Sequence, residues 1–260
     1  MTTSTPDRWR ALAVLALAVP QVLSAPLTPL LRGDDASPGA VSDENATVLT
    51  PAGYAFAIWG VIYLACLGLA VRQVLPAQRV REVHRRTGWW LALAFACSTA
   101  WVPLFGAGLL WVAQVVIVVL VVALAVALAR LTGLAPLGGA GDRWLLAGPV
   151  SLYLGWASLA SVAGAATTGV AYGAPAEGIA PALIAVAVLA VVTGLGVWVV
   201  STVVAAGGFA VAAAWALVAV AVVTPETSVA VTAWVGAALL LGTLAVRVAR
   251  SGHRVRVLLG

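Results

Sequence analysis

Apolar residues run through this chain in long blocks, and polar positions gather between the blocks instead of alternating within them. That pattern predicts helices buried on all sides rather than amphipathic surface helices or strands. Crossing the hydrocarbon core of a bilayer takes about 20 such residues. Blocks of this kind lie at Ala11–Leu31, Tyr54–Val71, Trp89–Phe105, Leu109–Ala129 and Trp144–Ala166. The first block has features of a secretory leader: Arg8 and Arg10 ahead of it, the run Leu12–Val19 and the small pair Ser24-Ala25. Apolar character continues to Leu31, however, and the position three before the would-be cut is Leu23. A retained helix kinked around Pro20 and Pro26 is therefore expected.

From Ile179 to Val223 the sequence is apolar almost throughout. One helix of that length would be about 65 Å long, twice the hydrocarbon thickness, so the segment must fold back. Ser201-Thr202 and Gly207-Gly208 place the turn between Ser201 and Gly208. A last block, Ser228–Val246, brings the count to about eight spans. The expected fold class is all-α, a polytopic transmembrane helix bundle.

Composition agrees: 63% of the 260 residues are hydrophobic and 9% charged, with mean hydropathy +1.07. A soluble domain carries about 25% charged residues. The fourteen basic residues, all arginine, against nine acidic ones give a net charge of +5. They lie between the apolar blocks and form no basic stripe in a polar domain, so no nucleic-acid partner is expected. Arginines near helix ends stay in the cytoplasm. With eight spans, thirteen of the fourteen arginines fall on that side, leaving Arg32 outside with Asp34, Asp35, Asp43 and Glu44. Seven spans would put Arg247, Arg250, Arg254 and Arg256 on the wrong face. Both termini are thus expected in the cytoplasm, and membrane lipid is the first expected partner; the inner arginines could also hold anionic head groups.

Candidate chemistry is sparse. No Asp, Glu, Lys, Arg or His falls within a predicted span, which disfavours proton relays and ion-coupled carriers. His84 and His253 sit beside arginines in loops and are expected in solvent. The outer-loop carboxylates are expected to be solvated too. Cys66 and Cys97 lie in apolar blocks without metal-ligand spacing, so no metal site is expected. No phosphate-binding loop is present. No catalytic residue stands out.

What remains is aromatic. The chain holds eleven tryptophans. Trp9, Trp89, Trp90 and Trp144, next to arginines, suit the membrane interface. Trp59, Trp101 and Trp156 lie inside spans. Trp59 and Tyr63 share a helix face at i,i+4, as do Trp156 and Ala160; Ser98 and Trp101, and Tyr153 and Trp156, are i,i+3 pairs. Three such helices, converging, would line a cavity for a planar apolar ligand. The same spacing also suits rings that merely fill gaps between helices beside small residues.

At these residues the chain resembles the TspO/MBR family, the tryptophan-rich sensory or translocator proteins. The family's second-helix pattern, Pro-Pro-x-Trp-x-Phe-x-Pro-x-Trp-x-x-x-Tyr, is similar to the segment from Pro51 to Tyr63, with Tyr54 for the first Trp and Phe56, Trp59 and Tyr63 following. The third-helix pattern, Asn-x-x-Trp-x-Pro-x-Phe, resembles Ser98-Thr99-Ala100-Trp101-Val102-Pro103-Leu104-Phe105. Trp111 looks like the fourth-helix Trp, with Gln114 near a usual Asp. Leu152-Tyr153 through Trp156 and Ala160 to Gly164 resembles the fifth-helix pattern. Both motif asparagines are replaced, by Ser98 and Gly164, and the motif proline by Leu152.

The resemblance covers residues 8–168. It implies a five-helix transmembrane region over 1–168; the apolar blocks beyond it add three helices over 169–250 that have no counterpart in the family, and the arginines at the end form a basic tail at 251–260. It further implies an outer lid, Gly33 to Thr50, and a site made of Tyr54, Phe56, Trp59, Tyr63, Ser98, Trp101, Trp111, Tyr153, Trp156 and Ala160. The implied ligand is a tetrapyrrole (porphyrin) or sterol-like molecule, with no cofactor required and bound porphyrin as a ligand. The only Met is Met1 and both His are in loops, so recognition of the macrocycle is expected rather than of an axial metal position. Porphyrin degradation, reported for parts of the family, is the enzymatic variant; a small transporter or permease subunit for an apolar solute is the alternative. The glycines around Gly194, Gly196, Gly207 and Gly208 suit close helix contact, including a homodimer. The expected location is the bacterial plasma membrane.

Overall fold

The computed structural model describes residues 5–260. The described chain forms helices α1 (Thr5–Arg32), α2 (Pro38–Glu44), α3 (Ile58–Val74), α4 (Pro76–Arg79), α5 (Glu82–Gly106), α6 (Leu110–Thr132), α7 (Ala140–Asp142), α8 (Gly148–Ala171), α9 (Ile179–Thr202), α10 (Ala206–Ala221), α11 (Thr227–Arg250) and α12 (Arg254–Leu259). Among the described residues, seven segments are long and apolar enough to cross a membrane: Thr5–Arg32, Gly53–Val74, Glu82–Gly106, Leu110–Thr132, Ala140–Ala171, Ile179–Thr202 and Thr227–Arg250.

The eighth apolar helix, α10, has only 16 residues, about 24 Å at the α-helical rise, short of the roughly 30 Å core of a bilayer. It is a core helix, rich in buried alanine, and it packs along α8 and α11. Its start lies beside Ser151 and Arg256, and its far end reaches Ala52, whose amide donates to the Ala219 carbonyl at 2.9 Å. α10 thus carries the chain back across the bundle. Close approach to α8 needs glycine: a Cβ on Gly155 would stand 2.5 Å from the Phe209 carbonyl oxygen. Of the other glycines expected at contacts, Gly196, Gly207 and Gly208 meet neighbours and Gly194 faces open space.

The turn before α10 falls inside the expected segment but is built differently. Ser201 and Thr202 bond back to the Val197 and Trp198 carbonyls within α9. The left-handed residue is Ala205, at φ 57°. It is held by its amide to the Arg256 carbonyl and by the Ser151 hydroxyl donating to its own carbonyl.

α1 continues through Pro20, Pro26 and Pro29. It packs on α3 and α5, burying Val14, Ala18 and Gln21. The tail at 251–260 folds back: Val257 of α12 is buried, and α12 rests on α10.

Ion pairs and hydrogen bonds bring the arginine-bearing helix ends together at one end of the bundle. Asp7 of α1 accepts from Arg10 at 2.8 Å and from Arg85 of α5 at 2.6 Å. Asp142 accepts from Arg72 of α3 at 2.9 Å and from both terminal nitrogens of Arg81, one at 2.6 Å. Arg130 donates to the Arg86 carbonyl at 2.8 Å and lies over the Trp90 ring, 5.2 Å from its centroid. At the other end the segment from Gly33 to Ala52 closes over the helices. A Cβ on Gly106 would meet the Ala36 carbonyl oxygen at 2.2 Å, so glycine there lets the lid lie flat against the end of α5.

One expectation is corrected here. His84 is buried, only 1% exposed, because α5 begins two residues earlier and turns His84, Thr87 and Leu91 to the same inner face. His253 is exposed, as are Asp34, Asp35, Asp43 and Glu44.

Candidate functional site

Trp59 and Tyr63 of α3 have ring centroids 5.4 Å apart, fixed by their i,i+4 spacing. Trp101 of α5 lies 5.6 Å from Trp59. Tyr153 and Trp156 of α8 meet Trp59 edge-on, each at 5.8 Å. Edge-to-face contact suits the ring quadrupoles. Trp59 is thus the hub, touching aromatic rings from three helices. Phe56 adds an edge contact to Trp156 at 6.2 Å. Ser98 is fully buried and donates to the Tyr63 hydroxyl at 3.2 Å. The indole N–H groups of Trp59 and Trp156 are buried without a protein acceptor, which leaves hydrogen-bonding capacity unused in the core.

Above this cluster, under the lid, lies an apolar cleft of about 40 Å³. Trp101, Trp156, Phe56 and Ala160 line it from below, and Pro38, Ser42, Leu49 and Pro51 of the lid segment cover it. Phe105 stacks on Trp101 at 5.0 Å and 25° and belongs to the same wall. Leu159 and Thr167 of α8, Leu189 of α9, and Ala216 and Val220 of α10 also line it. Residues beyond 168 therefore help build the cleft, and the last helices form one core with the first five.

The structure thus brings together Phe56, Trp59, Tyr63, Ser98, Trp101, Tyr153, Trp156 and Ala160. Two expected site residues lie elsewhere. Trp111 is 58% exposed on the outside of α6, its ring 5.8 Å from Tyr172. The inward stripe of α6 is instead Leu110, Ala113, Ile117, Leu120 and Leu124, to which Trp111 does not belong. Tyr54 is 52% exposed and packs edge-on against Trp215 at 5.4 Å. Gln114 ties α6 to α8 through the Ser161 carbonyl at 3.1 Å. Among the lining residues not anticipated in the site are Phe105, Leu189, Ala216 and Val220. Phe105 closes the third-helix pattern and was therefore readable; the other three sit in featureless apolar blocks.

These features define a class: a polytopic helical membrane protein with a buried tryptophan and tyrosine cluster beneath a lidded apolar cleft. The family profile described as TSPO-like protein matches residues 9–246, and the chain belongs to that family. The match runs on through α9 and α10 and most of α11. No curated protein and no solved structure matches the chain. The protein is an integral membrane protein of the TspO kind.

Proposed function

We propose that this is a membrane-embedded binding or sensory protein whose cleft takes a planar apolar ligand of the tetrapyrrole or sterol-like class. The observation that supports it most is the convergence of aromatic rings from α3, α5 and α8 directly beneath a cleft, with two indole donors left without acceptors.

Size sets a condition on this reading. Ligand pockets occupy about 300–1,000 Å³, and the cleft has about 40 Å³. A tetrapyrrole enters only if the segment carrying Pro38, Ser42 and Leu49 lifts from the helices. Lipid is as apolar as such a ligand, so burial alone selects little. Selection falls to ring stacking, shape and the unused indole donors. None of the residues lining the cleft is acidic, basic or histidine, which favours binding over general acid/base catalysis. Neither His nor Met lines it, so a metalloporphyrin would be held by its ring. By the charge rule for helix ends, the arginine-rich end faces the cytoplasm and the lid faces outward.

The test is titration of a metal-free porphyrin into the protein in nanodiscs, followed by the porphyrin absorption band. Ala160→Phe fills the cleft and should weaken binding at least about tenfold, a loss of roughly 1.4 kcal/mol. Equal affinity for wild type, Ala160→Phe and the Trp59→Ala, Trp156→Ala double variant would reject this site.

A further inference from the structure

The acidic residues at the arginine-rich end, Asp7, Glu82 and Asp142, are all held by arginines between Arg10 and Arg86. The arginines at the end of the chain are in a different state. Among the described residues, Arg247, Arg250, Arg254 and Arg256 form no ion pair with a carboxylate. Arg247 uses one guanidinium nitrogen on the Val200 and Val203 carbonyls at the end of α9, which fixes its position. Arg250, Arg254 and Arg256 are exposed.

Beside this unbalanced charge runs a groove of about 540 Å³ between the end of α9 and the last turns of α11. Its wall carries Leu239, Gly242 and Val246 with Thr243, and its arginine-rich end carries Ser201, Arg247 and Arg250. Gly242 faces open space, with nothing within 4 Å of where its Cβ would stand. Trp198, 63% exposed one turn before the end of α9, marks the level of the membrane interface. Cations at one end of an apolar strip match one amphiphile: a phosphate head on a hydrocarbon chain.

We propose that this groove binds an anionic phospholipid, with Arg250 and Arg247 holding the phosphate and an acyl chain lying along Leu239, Gly242 and Val246. The site is separate from the aromatic cleft and does not depend on it. A lipid seated there offsets part of the charge of the arginine cluster at the junction of α9 and α11.

Native mass spectrometry of the detergent-purified protein, incubated with equal amounts of phosphatidylglycerol and phosphatidylcholine, tests it. Wild type should retain phosphatidylglycerol about tenfold over phosphatidylcholine, in keeping with the attraction of a few basic residues for an anionic head group. Arg250→Gln should remove most of that preference. Gly242→Leu should lower retention as strongly, because it blocks the channel without touching a charge. Both changes fall on open surface, and Arg8→Gln should retain the wild-type preference. Equal retention of the two lipids by wild type overturns the proposal. So does a loss in Arg250→Gln that Gly242→Leu does not share, which would mean diffuse surface charge only.

Discussion

The two ends of the bundle are held by different forces. At the arginine-rich end, two buried carboxylates each join arginines from separate parts of the chain: Asp7 links α1 to α5, and Asp142 links α7 to α3 and to Arg81 ahead of α5. At the lid end no ion pair crosses between elements among the described residues. Closure there rests on apolar contact and on single hydrogen bonds, such as Ala52 N–H to the Ala219 carbonyl and the Trp215 indole N–H to the Ala55 carbonyl at 3.2 Å. Breaking a buried charge pair costs several kcal/mol, whereas parting one neutral hydrogen bond costs about 1 kcal/mol. The arginine-rich end is therefore the fixed base, and the lid end is where the molecule can open at modest cost. That is the end with the cleft.

The contrast is broken most severely at Asp142. Its side chain is fully buried, so Asp142→Asn leaves Arg72 and Arg81 facing each other with no counter-charge. The expected loss is about 3–5 kcal/mol, read as a lower thermal midpoint by circular dichroism in detergent. A change within about 0.5 kcal/mol, the range of an ordinary surface substitution, would mean the base is held by packing alone.

A smaller effect is expected in the aromatic cluster between the two ends. Tyr63→Phe keeps the ring against Trp59 and Tyr153 but removes the acceptor for Ser98. Stability should fall by about 1 kcal/mol in the same melt. If the hydroxyl pair also orients the Tyr63 ring in the site, the porphyrin titration shifts with it.

Much of this was legible in the sequence because lipid imposes length. The spans follow from runs of about 20 apolar residues, and the fold-back before α10 follows from a block too long to cross once. The trio Trp59, Trp101 and Trp156 was legible through helical spacing together with polar or small neighbours. Trp111 was not, because every face of α6 is apolar. What distinguishes its faces is shape: Leu and Ala point inward, while Val112, Val115, Val118, Val119 and Val122 point out. Asp7 and Asp142 were illegible for another reason. Their partners lie up to 78 residues away, and counting loop arginines for topology says nothing about which carboxylate they will find. His84 was misread because a loop position two residues into a helix can face the core.

The least disruptive change sharpens the comparison most. Trp215→Phe leaves a ring beside Tyr54 but deletes the indole N–H that holds the Ala55 carbonyl. Global stability should fall by only about 0.5–1.5 kcal/mol. Local opening is a separate matter, because an amide exchanges through the cheapest motion that exposes it. The Ala52 amide, bonded to Ala219 across the lid hinge, reports lid lifting. The Ala205 amide, bonded to Arg256, reports the base. In Trp215→Phe, hydrogen exchange at Ala52 should accelerate by about 2- to 12-fold, the factor that 0.5–1.5 kcal/mol sets, while Ala205 stays at its wild-type rate. If both amides accelerate together, the lid opens only with the whole bundle, and the small cleft beneath it has no separate route to a size that admits a tetrapyrrole.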